Sequence, residues 1–79
     1  MGGETTKVRN RIRALRESAE GMTQQQLADR IGVTRQTVNA IEGGKYSPSL
    51  EVAFRIASVF ERPLEEVFEY EDDHAGDRV

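Results

Sequence analysis

The 79-residue chain has no cysteine, one histidine, two prolines and no long apolar run, and each shortage removes a class of function. Without thiols there are no disulfides, no thiolate metal sites and no cysteine nucleophile; this is the ordinary state of an intracellular protein, and a cytoplasmic location is expected. No stretch nears the roughly 20 apolar residues of a membrane span, and the N-terminus has no apolar segment of the secretory kind, so no membrane partner is expected. Met1-Gly2-Gly3-Glu4-Thr5-Thr6 matches the loose N-myristoylation pattern, but a leader rich in glycine and threonine is more simply a flexible arm. Catalysis has little to work with. His74 sits in a polar, acidic stretch and no glycine-rich phosphate loop is present, so no enzyme, cofactor or metal is expected.

A net charge of −3 argues against nucleic acid until it is divided along the chain. Residues 1 to 60 hold nine Lys or Arg against six Asp or Glu, whereas residues 61 to 79 hold two against eight. An electrostatic footprint depends on local charge, so the first part is suited to a polyanion and the acidic tail is expected to face away from it.

One domain is expected, without internal repeats and near the lower size limit for an unstapled core. Residues 1 to 6 read as the arm, 7 to 70 as the domain and 71 to 79 as a disordered acidic tail. Val8, Ile12, Leu15 and Ala19 form a helical stripe, which predicts helix one over residues 7 to 20, stopped by Gly21. Thr23 is the N-cap of helix two with Gln26 as capping-box partner, and that helix runs to about Ile31. Thr34 caps helix three, with Thr37 as a weaker box partner, and Gly43-Gly44 supplies the positive φ that ends it. Ser49 caps helix four, Leu50 to about Phe60, whose inward stripe is Leu50, Ala53, Ile56, Ala57 and Phe60. Pro63 suits the first turn of a short fifth helix through about Phe68, and Val67 to Tyr70 is alternatively a short strand. The predicted architecture is all-α, a compact five-helix domain.

Thr23 to Lys45, TQQQLADRIGVTRQTVNAIEGGK, is the most informative stretch. Two short helices that cross steeply need a small side chain where the backbones meet and a joint that tolerates positive φ. Ala28 and Gly32 fit those needs, and Leu27, Ile31, Val33, Val38 and Ile41 form one inward set. This is a helix-turn-helix.

With Met22-Thr23-Gln24, Leu27-Ala28, Ile31-Gly32-Val33-Thr34, Ile41-Glu42-x-Gly44-Lys45 and Pro48-Ser49-Leu50, the chain from about Val8 to Tyr70 resembles the phage-repressor and Cro-like, or Xre-like, helix-turn-helix family. The resemblance implies a lambda-repressor-like domain that binds double-stranded DNA as a homodimer with helix three in the major groove. It makes Arg35 and Gln36 the principal base readers. Their chemistry suits the task, Arg being bidentate to guanine and Gln to adenine. Asn39 becomes a second-rank reader, and Ala40 stands where relatives have a longer polar group, which leaves a methyl contact to thymine. Thr23, Gln24, Thr34, Thr37, Lys45 and Tyr46 are implied phosphate contacts, and Ala28, Gly32, Val38 and Ile41 the frame of the motif. Glu42 is implied to pair with Arg16. One residue more than usual lies between Arg16 and Gly21, so helix one is either longer or bulged at its end, and Arg13 is the alternative partner. Glu61, Arg62 and Pro63 depart from the usual joint of Gly, an apolar residue and a Ser cap.

Spare apolar residues on the last two helices and just beyond, Phe54, Val59, Val67, Phe68 and Tyr70, are the candidate two-fold interface. The functional expectation is a sequence-specific transcription regulator, a repressor on a pseudo-palindromic operator. An antitoxin, a restriction-modification controller, or a protein-interaction adaptor that does not read sequence would share the fold, and a small protein partner is left open by this reading.

Overall fold

The computed structural model describes residues 6–71, and the expectations for residues 1 to 5 and 72 to 79, His74 included, lie outside the described residues. In chain order the elements are β1 (Val8–Asn10), α1 (Ile12–Ser18), α2 (Gln24–Ile31), α3 (Arg35–Glu42), α4 (Leu50–Phe60), α5 (Leu64–Val67) and β2 (Phe68–Tyr70). The five helices follow the predicted order, and a two-stranded antiparallel ribbon is added at the chain ends.

Three of the helix starts are written in the sequence as caps. The Oγ1 of Thr23 accepts from the Gln26 backbone N–H at 3.0 Å while the Gln26 side chain accepts from the Thr23 N–H at 2.8 Å, a complete capping box. Thr34 and Ser49 accept from the backbone N–H groups of Thr37 and Val52. Each such cap stabilises its helix by about 1 kcal/mol. The core then forms from Ile12, Leu27, Ala28, Ile31, Val38, Ile41, Ile56, Ala57 and Val67, with Leu15, Met22, Val33, Val52, Val59, Phe60, Leu64 and Phe68 packed around it. Full burial of each large apolar side chain contributes roughly 1.5 to 3 kcal/mol.

The largest departure from expectation is at the start. Residues 8 to 10 are strand, and helix one begins at Ile12 rather than at residue 7. Asn10 is the local cause: its Oδ1 accepts from the Ile12 N–H at 3.1 Å, and its Nδ2 donates to the Ile41 carbonyl at 2.9 Å. A short amide side chain that bonds nearby backbone competes with helix upstream of it. The non-local cause is β2, whose Tyr70, Glu69 and Phe68 pair with Val8, Arg9 and Asn10.

Smaller corrections follow from packing. Leu50, expected inward, is 67% exposed at the first position of α4, while Val52 and Val59 turn toward the core. Val67, placed in the candidate interface, is fully buried within the chain and unavailable to a partner. Pro63 is the N-cap residue of α5 rather than part of its first turn, and Phe68 already belongs to β2. Of the glycine pair after α3, Gly44 alone has positive φ, at 73°, whereas Gly43 remains right-handed. Thr6 and Glu71, assigned to the arm and tail, are tied to the domain by backbone bonds to Gly44 and Lys7.

The extra residue after Arg16 is accommodated in the turn and not in the helix. Helix α1 stops at Ser18, and Glu20 and Gly21 both adopt left-handed backbone, φ 60° and 74°. Glu61 does the same at the end of α4, φ 55°, where the Arg62 N–H reaches the Ala57 carbonyl. It takes the conformation that a glycine would take there. A side chain in this region costs about 1 to 2 kcal/mol, partly offset by the greater chain entropy that glycine loses on folding. Glu61→Gly is therefore expected to stabilise the fold by up to about 1 kcal/mol, read as a raised urea midpoint; a lowered midpoint would show that the Glu61 side chain contributes more than its backbone strain.

Candidate nucleic-acid interface

Helix α3 divides into two faces. Val38 and Ile41 are buried, while Arg35, Gln36 and Asn39 are exposed and Ala40 is partly covered. The implied base readers thus share one accessible side of one helix. Gly32, in left-handed backbone at φ 78°, turns the chain from α2 into α3, and Ala28 is fully buried in the joint. A Cβ at Gly32 would meet only the Arg55 Nη1 at 3.5 Å, an ordinary contact, so backbone conformation and not space requires glycine here.

The residues assigned to phosphate lie around this face. Thr23, Thr34, Lys45 and Tyr46 are exposed, and Gln24 and Thr37 are half-buried. Thr23 and Thr34 each accept from backbone through their hydroxyl oxygens; the Thr23 hydroxyl hydrogen is left to donate outward, whereas the Thr34 hydroxyl is also bonded to that of Thr37 at 3.0 Å. Gln24 is more than a surface group. Its Nε2 donates to the Asn39 Oδ1 and the Glu42 Oε1, both at 3.2 Å, and its Oε1 faces the Arg35 Nη1 at 3.5 Å.

Behind this chain stands the ion pair between Arg16 and Glu42, 12% and 8% exposed. The Arg16 Nε donates to Glu42 Oε2 at 2.6 Å and its Nη2 to Oε1 at 3.0 Å, while Nη1 donates to the Met22 carbonyl at 2.7 Å. Helix α1 is thereby bonded at once to the end of α3 and to the residue before the α2 cap. The hydrogen bond to Glu42 raises the pKa of Arg16 above its ordinary value, against the opposing effect of burial. Arg13, the alternative partner, instead bonds Glu17 on its own helix.

Three supports lacked a clear local signal. Asn10 holds the Ile41 carbonyl near the end of α3; an Asn ahead of a helix is a cap signal, hidden here by the helical stripe that runs through it. Arg55 donates to the Ile31 carbonyl at 3.1 Å and satisfies the end of α2 from α4. Thr6 donates its N–H to the Gly44 carbonyl at 3.0 Å, and its hydroxyl lies 2.6 Å from that of Ser47. The last two contacts are non-local, and no spacing rule predicts them.

Charge is distributed unevenly over the surface. Arg9, Arg11, Arg13, Arg55 and Arg62 pair with Glu71, Glu69, Glu17, Glu51 and Glu66. Arg35 and Lys45, at the two ends of the α3 face, carry no acidic partner among the described residues. No group of three or more His, Cys, Asp or Glu among the described residues could hold a metal ion, and no described helix is long and apolar enough to cross a membrane.

Comparison with known proteins agrees with this geometry. The helix-turn-helix family model matches residues 12–67. An uncharacterized HTH-type transcriptional regulator of Methanocaldococcus jannaschii is 47% identical over 66 residues, which cover 84% of this chain and 98% of that protein. A Bacillus subtilis regulator with the same description is 42% identical, over 85% of this chain and 100% of its own length. Among solved structures, the restriction-modification controller protein C.AhdI of Aeromonas hydrophila superposes with a TM-score of 0.62 at 32% identity, covering 71% of this chain and 80% of that one. A protein of Bacteroides fragilis shares the fold, with a TM-score of 0.70 at 21% identity over 78% of this chain and 98% of its own.

Removing one member of a nearly buried pair leaves the other charge unpaired, at a cost of about 3 kcal/mol. Glu42→Ala is expected to lose stability of that order in urea unfolding. A loss under about 0.5 kcal/mol, the size typical of a surface pair, would mean that the bond does not couple α1 to α3.

Proposed function

Because the chain belongs to the Xre-like helix-turn-helix family of DNA-binding transcriptional regulators, we propose that it is a sequence-specific repressor that occupies a pseudo-palindromic operator as a homodimer. The observation that carries this reading is the α3 face: Arg35, Gln36 and Asn39 exposed together, backed by buried Val38 and Ile41, with Arg35 and Lys45, which have no acidic partner among the described residues, at its ends. Such a cation meets a phosphate without first giving up an ion pair, and its engagement releases DNA counterions.

In this mechanism the domain docks through backbone contacts first. The α2 N-terminus with Thr23 and Gln24, the Thr34 and Thr37 hydroxyls, and Lys45 with Tyr46 hold phosphates and fix the register. Arg35 and Gln36 then reach base edges from the first turn of α3. Ala40 offers a methyl group alone, so discrimination leans on Arg35, Gln36 and Asn39. No reaction is catalysed; regulation follows from occupancy.

One helix reads too few base pairs for a genome, which favours a dimer with half-sites about 34 Å apart. Leu50 and Phe54, 67% and 54% exposed, lie one turn apart on α4 and line a shallow depression with Glu51, Arg55 and Ser58. A two-fold axis through this strip would set apolar against apolar, with the Glu51–Arg55 pair of each copy at its edge. Tyr70, 61% exposed, remains available, whereas Val59 and Phe68 are already half-covered by their own core. The resemblance to the Aeromonas hydrophila controller protein supports a second reading, control of a restriction-modification operon, for which an operator beside such genes is the test.

Selection from a random duplex pool should return a two-fold symmetric site. On that site Gln36→Ala should lose roughly 1 to 3 kcal/mol and on unrelated duplex almost nothing; equal losses on both would remove Gln36 from the readers. Phe54→Glu should turn the sedimenting dimer into monomer with its helical spectrum retained. A dimer that persists at the same concentrations would exclude α4 from the interface.

A further inference from the structure

The N-terminal strand runs beside the α3–α4 loop that carries Lys45 and Tyr46. Thr6 bonds the Gly44 carbonyl and touches the Ser47 hydroxyl, and the Arg9 guanidinium lies against Gly44, its Nη1 3.9 Å from where a Cβ on that glycine would stand. A cation and a hydroxyl from the N-terminal segment thus meet the loop, beside the loop's own Ser47 hydroxyl. Arg9 is not idle there. Its Nη2 is held by Glu71, and Arg11 is held in the same way by Glu69 at 3.1 Å.

Strand register produces both pairs. Arg9 stands opposite Glu69 in the ribbon, so Glu71, two residues on, is its diagonal neighbour on the same face. Both members of the Arg9–Glu71 pair are more than half exposed. An exposed pair of this kind is weak and exchangeable, and a DNA phosphate arriving at the loop offers a more highly charged field than one carboxylate.

We propose that Arg9 is a further phosphate-binding residue of this protein, and that Glu71 is its built-in competitor, so that the acidic strand end lowers duplex affinity at the loop without touching the base-reading face. The inference rests on the reading that the α3 face binds duplex DNA. Engagement exchanges one contact for another: the Arg9 guanidinium leaves the Glu71 carboxylate, which returns to solvent, and donates to a backbone phosphate beside Gly44.

The experiment measures the affinity of the full chain for a fluorescent duplex across a salt series, for wild type, Arg9→Ala, Glu71→Gln, the double variant and Glu65→Gln. Glu65 is exposed on α5 and removes the same charge elsewhere. Glu71→Gln should bind about two- to five-fold more tightly at low salt. Arg9→Ala should bind more weakly, with a salt slope shallower by about one, and the double variant should match Arg9→Ala. Glu65→Gln should remain close to wild type. The proposal is overturned if Arg9→Ala binds as wild type does, if Glu71→Gln tightens binding in the Arg9→Ala background as well, or if Glu65→Gln tightens it equally. Failure of the wild type to bind any duplex would instead overturn the functional reading, and this inference with it. Unchanged thermal melts keep a folding defect out of the comparison.

Discussion

The bond between Arg16 and Glu42 sets where helix α3 lies. Both charges are nearly buried, and every polar atom of the pair that faces inward has a partner: Glu42 with two guanidinium nitrogens and the Gln24 amide, Arg16 with Glu42 and the Met22 carbonyl. An apolar pair of similar volume could fill the same space at equal or greater stability. It would not fix direction. Because the guanidinium and carboxylate are joined by two hydrogen bonds, and a third reaches the Met22 carbonyl, α1, the α2 start and the end of α3 are held at one mutual orientation. Gln24 and Asn39 then carry that orientation outward to Arg35.

This requirement explains the turn after α1. A residue added to the helix after Arg16 would leave Arg16 in place but turn the chain that follows by about 100°, carrying off Met22, whose carbonyl accepts from the Arg16 guanidinium. The chain instead ends α1 at Ser18 and turns through two successive left-handed positions, Glu20 and Gly21. Strain at an exposed turn is the smaller cost, since a displaced Met22 would leave a partly buried guanidinium N–H without its acceptor.

Helix α3 is held from both ends. Thr34 caps its start, and Asn10 holds the Ile41 carbonyl near its finish. The second support depends on the ribbon, because Asn10 is presented by β1 and β1 is paired to β2. The same ribbon sorts the charge. By placing Glu69 and Glu71 against Arg11 and Arg9, it gathers acid onto the side of the domain formed by the chain ends, while Arg35 and Lys45 have no acidic partner among the described residues. A chain of net charge −3 can therefore still present a cationic face to a polyanion.

Local signals were enough for the helix-turn-helix. The caps at Thr23, Thr34 and Ser49, the left-handed Gly32 and the apolar spacing of Leu27, Ile31, Val38 and Ile41 each act within one or two turns of chain, so the elements from α2 to α4 were legible within a residue of their ends. The implied Arg16–Glu42 pair was also legible, as a family resemblance and not as a consequence of spacing. What the sequence did not disclose lies between distant residues. Strand β1 looked helical because its apolar positions continue the stripe of α1, and only β2, some sixty residues on in the chain, supplies its hydrogen-bond partners. Leu50 looked buried and Val67 looked available, because hydrophobicity states that a residue prefers cover, while the packing of α4 and α5 against the other helices decides which residue receives it. Sequence by itself determined the motif, its caps and the exposed polar positions of α3 through short-range chemistry. Tertiary structure alone decided which arginines are already paired, because ion pairing depends on three-dimensional proximity that no spacing along the chain encodes.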